Sequence, residues 1–247
     1  MIEAIKVIDL NFSYPDKMDV IKNISIDINN GESIGIVGPN GAGKTTFFHL
    51  LCGILEPTSG DIYIFGNKRK GKMFNPDVGY VFQNPDDQLF NTTVYEDIAF
   101  GPINLGFSKD EVKERVNYAL NITNCKELSS RPPHHLSGGE KRMAAIATII
   151  AMKPEIIIYD EPSSNLDMRS RRDLINFVNS SKTAKLIASH DLEFILETCH
   201  RVVVLDHGMI VADGESREIM NNEDFMLEHG LERPHSLLHG RNHKHSI

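Results

Sequence analysis

The hydrophobic period changes several times along the chain, and each change predicts an element. In residues 2–14 and 20–28, β-branched residues alternate loosely with polar ones, and Asn29-Asn30-Gly31 punctuates the second run. A period near two with turn residues between the runs predicts antiparallel strands. Ser33-Ile34-Gly35-Ile36-Val37 is a short apolar run suited to a buried strand. A glycine-rich loop follows, then a helical pattern from Thr45 to Leu51, with short strands at 61–65 and 78–83. In the middle of the chain the period lengthens. Ser108-Lys109-Asp110-Glu111 has the spacing of a capping box. Val112, Val116, Ala119 and Leu120 then share one helical face. A second helix is predicted over 139–152, closed by Pro154, which lacks the N–H a helix needs.

Beyond Pro154 strands and helices alternate: Ile156 to Asp160 a strand, 167–179 an amphipathic helix, 185–189 a strand, 191–199 a helix and 201–205 a strand, with Asp206-His207-Gly208 as a turn. This alternation predicts an α/β fold: a mainly parallel sheet with helices on both faces, an antiparallel β part before it and a helical insert within it. There is no internal repeat. The last twenty or so residues are polar and histidine-rich, which predicts a weakly packed tail.

Composition narrows the function classes. With 247 residues, 40% hydrophobic and 24% charged, the chain can bury a core without disulfide or metal staples, and disorder is excluded as its main state. A formal net charge of −8 argues against nucleic acid as a partner, since phosphate backbones want a basic face. Cys52, Cys125 and Cys199 are far apart and form no CxxC pair, so neither a disulfide framework nor a zinc knuckle is expected, and the reading is a reducing compartment. Met1-Ile2-Glu3 is acidic where a signal peptide needs a basic start. The most apolar stretch, Ala144 to Met152, is well short of the roughly 20 residues that span a bilayer. The chain is therefore expected not to cross a membrane by itself, which leaves docking onto something that does open.

Two motifs carry chemistry. Gly38-Pro39-Asn40-Gly41-Ala42-Gly43-Lys44-Thr45 fits the phosphate-loop pattern G-x-x-x-x-G-K-[ST], with a buried strand before it and a helix after it. The glycines let backbone N–H groups converge on a β-phosphate, and the helix start adds partial positive charge. Lys44 is expected to bridge β- and γ-phosphates, and the Thr45 hydroxyl to ligate Mg²⁺. Asp160 and Glu161 close a buried strand, which is where a Mg²⁺-holding carboxylate belongs beside such a loop. Asp160 is the expected ligand, and Glu161, one step on, the acceptor of a proton from an attacking water.

At Leu136-Ser137-Gly138-Gly139-Glu140 the sequence resembles the signature motif of the ATP-binding cassette (ABC) ATPases, whose commonest form ends in glutamine where Glu140 stands. The order and spacing from phosphate loop to signature to acidic pair fit that family over residues 2 to about 215. The resemblance implies an ABC ATPase domain over 1–215, a helical subdomain within it at 84–152, and a C-terminal extension over 216–247. It identifies Gln83 with the Q-loop glutamine, able to reach Mg²⁺ and the attacking water. Ser164-Asn165-Leu166-Asp167 is similar to the D-loop, and His190 to the switch histidine that donates to the γ-phosphate. Tyr14 stands where the family stacks an aromatic on adenine. Thr46, Ser137, Gly138, Gly139 and Asp167 join the implied nucleotide contacts. Ser137 also reads as a helix N-cap. In the family two cassettes pair head-to-tail, the signature of one closing over ATP held by the other. The implied partner is thus a second copy or a paralogue.

Gln83-Asn84-Pro85-Asp86-Asp87-Gln88-Leu89-Phe90, with Val94 to Pro102, resembles the ATPases of energy-coupling-factor importers, which take up cobalt, nickel or vitamins. This implies a peripheral protein on the cytoplasmic face of the membrane, working with a transmembrane coupling subunit and a substrate-binding membrane subunit. Leu89, Phe90, Val94 and Phe100 are the apolar candidates for the groove that receives the membrane subunit, with Val94 and Ile98 better suited to the core. His229, His235, His239, His243 and His245 crowd the tail, and imidazole suits Ni²⁺, Co²⁺ and Zn²⁺. Gly240 interrupts their spacing, so tail ligation and incidental histidines both stay open. The cobalt and nickel branch is the expected one, with vitamin uptake as the alternative. A soluble ABC ATPase acting on DNA or ribosomes fits less well. The segment from Asn84 to Leu136 is too short for a coiled-coil arm and lacks heptads, and the chain holds one cassette.

Overall fold

In the computed structural model, which describes residues 3–72 and 74–238, the chain opens with β1 (Glu3–Tyr14), β2 (Lys17–Asn29) and β3 (Ser33–Val37). Helix α1 (Lys44–Cys52) and strands β4 (Ser59–Ile64), β5 (Asn67–Lys68) and β6 (Val78–Val81) follow. Then come α2 (Val94–Asn104), α3 (Lys109–Ile122), α4 (Gly138–Ile150), β7 (Ile156–Asp160) and α5 (Met168–Ser180). The chain continues through β8 (Ala184–Ala188), α6 (Leu192–Thr198), β9 (Arg201–Asp206) and β10 (Met209–Glu215) to α7 (Ser216–Asn221), α8 (Glu223–Glu228) and α9 (His235–Leu238). Contacts divide it into two units, one made of the N-terminal segment up to Lys72 together with the chain from Leu186, the other of Phe74–Lys185.

The first unit contains an antiparallel sheet in the order β2-β1-β4-β5. Along β2, Ile24, Ile26 and Ile28 are buried while Ser25 and Asp27 are exposed, as a period of two demands. They lie across from Leu10, Val7 and Ile5 of β1. In the same unit β9 pairs parallel with β3 and antiparallel with β10. Ile34, Ile36 and Val37 of β3 are fully buried, as are Phe48, Leu50 and Leu51 of α1. Each such side chain contributes about 1.5–3 kcal/mol by leaving water.

The weakly packed tail expected over the last twenty or so residues falls partly outside the described residues, and as far as Leu238 most of its side chains are exposed or half-buried. Met220 and Met226 are fully buried and Leu231 is nearly so. These three apolar side chains are spaced among charged residues, so polar average composition hides them. Arg233 ties α9 back by donating to Asn221 Oδ1 at 2.5 Å, and Ser236 N donates to Glu193 of α6 at 2.8 Å. His239, His243 and His245 lie outside the described residues.

In the second unit β6 and β7 pair in parallel, Val78 opposite Ile156, and every residue of both strands is buried. The strand expected over 78–83 stops at Val81, so Gln83 stands two residues beyond its end. Helices α2, α3 and α4 pack on one another. The predicted capping box of α3 is present in both directions, and its four face residues are all buried. Helix α2 was not legible in the period, because Gly101 and Pro102 lie within it; it starts with a Thr93–Glu96 capping box. Helix α4 buries every residue from Ala144 to Ile150. No helix among the described residues is long and apolar enough to cross a membrane.

Candidate nucleotide site

The phosphate loop lies in the first unit, between β3 and α1. A side chain at Gly38 would put its Cβ 2.0 Å from the Leu205 carbonyl oxygen, so only glycine lets the loop pass the end of β9. Gly208 N donates to Ala42 O at 3.1 Å and pins the loop's other half. Lys44 is buried, and its ammonium donates to the carbonyls of Gly38 at 2.7 Å and Pro39 at 3.2 Å. The helix that follows is unusual in this molecule. Helices α2, α3, α4 and α5 each begin with a side-chain cap. Helix α1 begins at Gly43 with no side-chain cap, has no acidic residue in its first turn, and carries a lysine there. A cation at the positive end of a helix is unfavourable unless an anion joins it. Uncapped N–H groups and an ammonium at one turn make a site for a phosphate.

Tyr14 and His190 belong to the same unit. Tyr14 is half-buried, its ring edge-on to Phe12 at 4.7 Å and its hydroxyl 3.3 Å from Thr46 Oγ1, which sets it beside α1. Thr45 is exposed one residue earlier. His190 is exposed directly after β8. Its backbone is fixed on both sides, because Asp191 N donates to Ser189 Oγ at 3.1 Å and the Asp191 carboxylate caps α6 through Phe194 N at 2.9 Å.

The second unit holds the acids, Gln83 and the signature. Asp160 is buried, and Tyr80 donates its hydroxyl to Asp160 Oδ2 at 2.8 Å. Glu161 is also buried and sits at φ 48°, a left-handed conformation that costs a side-chain-bearing residue on the order of 1–3 kcal/mol. Ser164 stabilises that turn by donating its N–H (3.3 Å) and its hydroxyl (2.9 Å) to Glu161 O. The donor types expected at the metal, a carboxylate on Asp160, a hydroxyl on Thr45 and an amide oxygen on Gln83, are hard oxygens, the set Mg²⁺ prefers. The orientation of Asp160 by Tyr80 suits a carboxylate held ready for a cation.

Ser137 N-caps α4, and Glu140 closes a capping box by accepting from Ser137 N at 2.8 Å. These bonds hold the Glu140 carboxyl below the usual carboxylate range. This gives position 140 a local role that its departure from the commonest signature left unassigned. A methyl on Gly139 would stand 2.2 Å from Ser170 Oγ. That hydroxyl donates to Asp167 Oδ2 at 2.9 Å, and Asp167 caps α5 by accepting from the N–H groups of Arg169 and Ser170. The second glycine of the signature and the D-loop aspartate therefore meet through one serine. Gln83, Asp86, Gly138, Lys141, Asn165 and Leu166 line a cleft of about 340 Å³ at this place.

Three residues of this unit were not singled out from sequence: Arg142, Gln88 and Tyr80. Arg142, 2% exposed, forks its guanidinium onto the carbonyls of Phe82 and Gln83, both at 2.6 Å, and burial lowers its pKa to about 10. Gln88 accepts from Phe82 N at 3.1 Å and donates to Ala145 O and Thr148 Oγ1 of α4. The backbone that carries Gln83 is thus strapped to the signature helix. An arginine on the same helical face as Ala145, Ile146 and Ile149 was the available signal. Lysine cannot reproduce the fork. Arg142→Lys should lose one charge-assisted bond, about 1.5–3 kcal/mol. The expected result is a lower thermal midpoint and several-fold slower ATP turnover, checked by calorimetry and phosphate release.

A second cleft of about 340 Å³ in this unit is lined by Phe74, Phe90, Phe100, Gly101, Leu105 and Met152, among others. Phe90 and Phe100 meet edge-on at 5.0 Å and are 62% and 48% exposed. Leu89, expected with them, is instead buried, while Val94 and Ile98 are buried in the core as expected. Val94 and Ile98 sit one turn apart on the inner face of α2.

The model of the ABC transporter family matches residues 21–164. A putative ABC transporter ATP-binding protein of Synechocystis sp. is 50% identical over 234 residues, covering 95% of this chain and 82% of that one. The energy-coupling factor transporter ATP-binding protein EcfA of Methanothermobacter thermautotrophicus is 42% identical over 238 residues, covering 93% and 76%. The structure of cbiO1 from Clostridium perfringens, part of the ABC transporter complex cbiONQ, superposes with a TM-score of 0.82 at 34% identity, covering 92% of this chain and 94% of that one. An uncapped phosphate-loop helix, an acidic pair after a buried strand and a signature serine capping its helix stand in a chain with these relatives: the protein belongs to the ABC transporter ATPases, as an ATP-hydrolysing subunit of energy-coupling-factor type.

Proposed function

We propose that this ATPase powers uptake of a transition metal ion, cobalt or nickel, through membrane subunits that it engages from the cytoplasmic face. Gly38 to Thr46 cradle the phosphates of ATP, Lys44 neutralises them and Tyr14 stacks on the base. Thr45, Asp160 and Gln83 would hold Mg²⁺, which supplies charge neutralisation on the phosphates. Glu161 takes the proton of the attacking water, and His190 donates to the γ-phosphate. Ser137, Gly138, Gly139 and Asp167 face the ATP held by a second cassette. A second copy of this chain suffices for that, because one sequence carries both halves of the composite site. ATP binds the closed pair better than the open one, so binding closes it and hydrolysis releases it.

The observation that carries the transport reading is the aromatic cleft of the second unit. Exposed Phe90 and Phe100 on a chain whose described helices do not cross a membrane offer an apolar seat for a helix of a membrane subunit. Phe90→Asp is expected to leave phosphate release by the purified chain within about twofold of the parent and to abolish co-purification with the membrane subunits. Equal recovery of those subunits would place the seat elsewhere. The choice of metal rests on the resemblance to the cobalt and nickel branch, on the likeness to cbiO1, and on the histidines at 229, 235, 239, 243 and 245. Whole-cell metal content tests it, comparing cells carrying this chain with cells carrying Glu161→Gln on limiting metals and vitamins. A selective fall in cobalt or nickel is expected. Unchanged metals with a new vitamin requirement would overturn the metal reading in favour of vitamin uptake.

A further inference from the structure

Behind the phosphate loop, β9 ends at Asp206, and the residues around Asp206 touch the loop directly. Leu205 places its carbonyl where a side chain at Gly38 would be, and Gly208 donates its N–H to Ala42 O. The C-terminal extension reaches the next residue of the same loop. His229 caps the end of α8, and Gly230 stands next to the loop, since a methyl built on it would lie 3.7 Å from Pro39 Cβ. Between these two approaches, His229 Nδ1 and Asp206 Oδ2 are 2.9 Å apart, each side chain about one-sixth exposed. An ionised carboxylate only accepts, so the imidazole carries its proton on Nδ1. Phe225 packs on the His229 ring at 4.6 Å, and Met226 and Leu231 anchor the turn in the core. The other ring near Asp206 is that of His207, 3.8 Å from Oδ1 and almost wholly exposed.

We propose that the His229–Asp206 hydrogen bond is a latch through which the C-terminal extension positions the phosphate loop, making both positioning residues for ATP binding. The proposal rests on the nucleotide reading of that loop. Each member of the pair is adjacent or nearly adjacent to residues that touch the loop, so the bond joins two supports of the loop to one another. A loop held by two linked supports loses less freedom when it closes on phosphate, which raises affinity without altering the chemical step. The extension thereby acts on the nucleotide without contributing an atom to it.

The test is steady-state ATP hydrolysis and equilibrium Mg-ATP binding by the parent, His229→Phe and His229→Asn. Phenylalanine keeps the packing on Phe225 and lacks the donor. Asparagine places an amide N–H near the position of Nδ1. His229→Phe is expected to raise KM and Kd for ATP about 3–10-fold with kcat at saturation within about twofold, and His229→Asn to return most of the affinity. Parent-like affinity in His229→Phe would overturn the latch, and so would equal weakening in both variants, which would make packing the cause. If His229→Phe fails to fold, Asp206→Asn decides, since it keeps the volume and weakens only the acceptor. It should weaken binding with kcat kept, and unchanged binding would overturn the proposal. A parent that binds no ATP would instead overturn the nucleotide reading, and the latch with it.

Discussion

Lys44→Ala is expected to weaken Mg-ATP binding by at least about 100-fold, close to 3 kcal/mol, because two charge-assisted hydrogen bonds to phosphate disappear together. In the folded chain the ammonium is already drawn over the loop by the carbonyls of Gly38 and Pro39, so the lysine would reach a bound phosphate from a prepared position. Alanine removes the only side-chain cation of the first turn of α1, a turn with no side-chain cap and no acid. The N–H groups that remain still attract an anion, which is why weak binding rather than none is expected. Titration of a fluorescent ATP analogue checks this. Affinity within about threefold of the parent would mean that the loop is not the phosphate site.

Glu161→Gln should leave ATP binding intact and lower kcat by roughly 10²–10⁴-fold, the usual share of a general base, or about 3–5 kcal/mol on the barrier. Glutamine keeps size and hydrogen-bonding shape but cannot take a proton. The residue is buried at the end of a fully buried strand and in a left-handed conformation that Ser164 holds in place. Ser164 holds the turn through the backbone carbonyl of residue 161, which glutamine keeps, so the amide should adopt the same backbone. Single-turnover phosphate release measures the step. A rate within about threefold of the parent, with unchanged binding, would move the base elsewhere.

Much of the site was legible because its chemistry demands contiguous residues. The phosphate loop needs glycines where a Cβ would strike Leu205 O or crowd Val20 O, and such a requirement survives as a string in the sequence. The buried β7 with its acidic end and the capping box at Ser137 are likewise local. What escaped was the support that comes from distant residues. Arg142 holds the backbone of Gln83 across about 60 positions of sequence, and His229 reaches Asp206 across 23. Neither spacing leaves a pattern. Helix α2 escaped because its Gly101-Pro102 pair reads as a breaker, whereas in the fold Met152 packs against Gly101, with Sδ 2.7 Å from where a Cβ would lie. In the C-terminal extension, Met220, Met226 and Leu231 are few among many charges and left no period to read, yet all three are buried.

If one chain carries both halves of a site closed by ATP, two copies must pair when ATP is bound and cannot be hydrolysed. Light scattering of Glu161→Gln with saturating Mg-ATP or Mg-ADP measures this. Twice the 27.7 kDa chain mass is expected with ATP and a single chain mass with ADP. A single chain mass with ATP demonstrably bound would mean that this chain does not pair with itself.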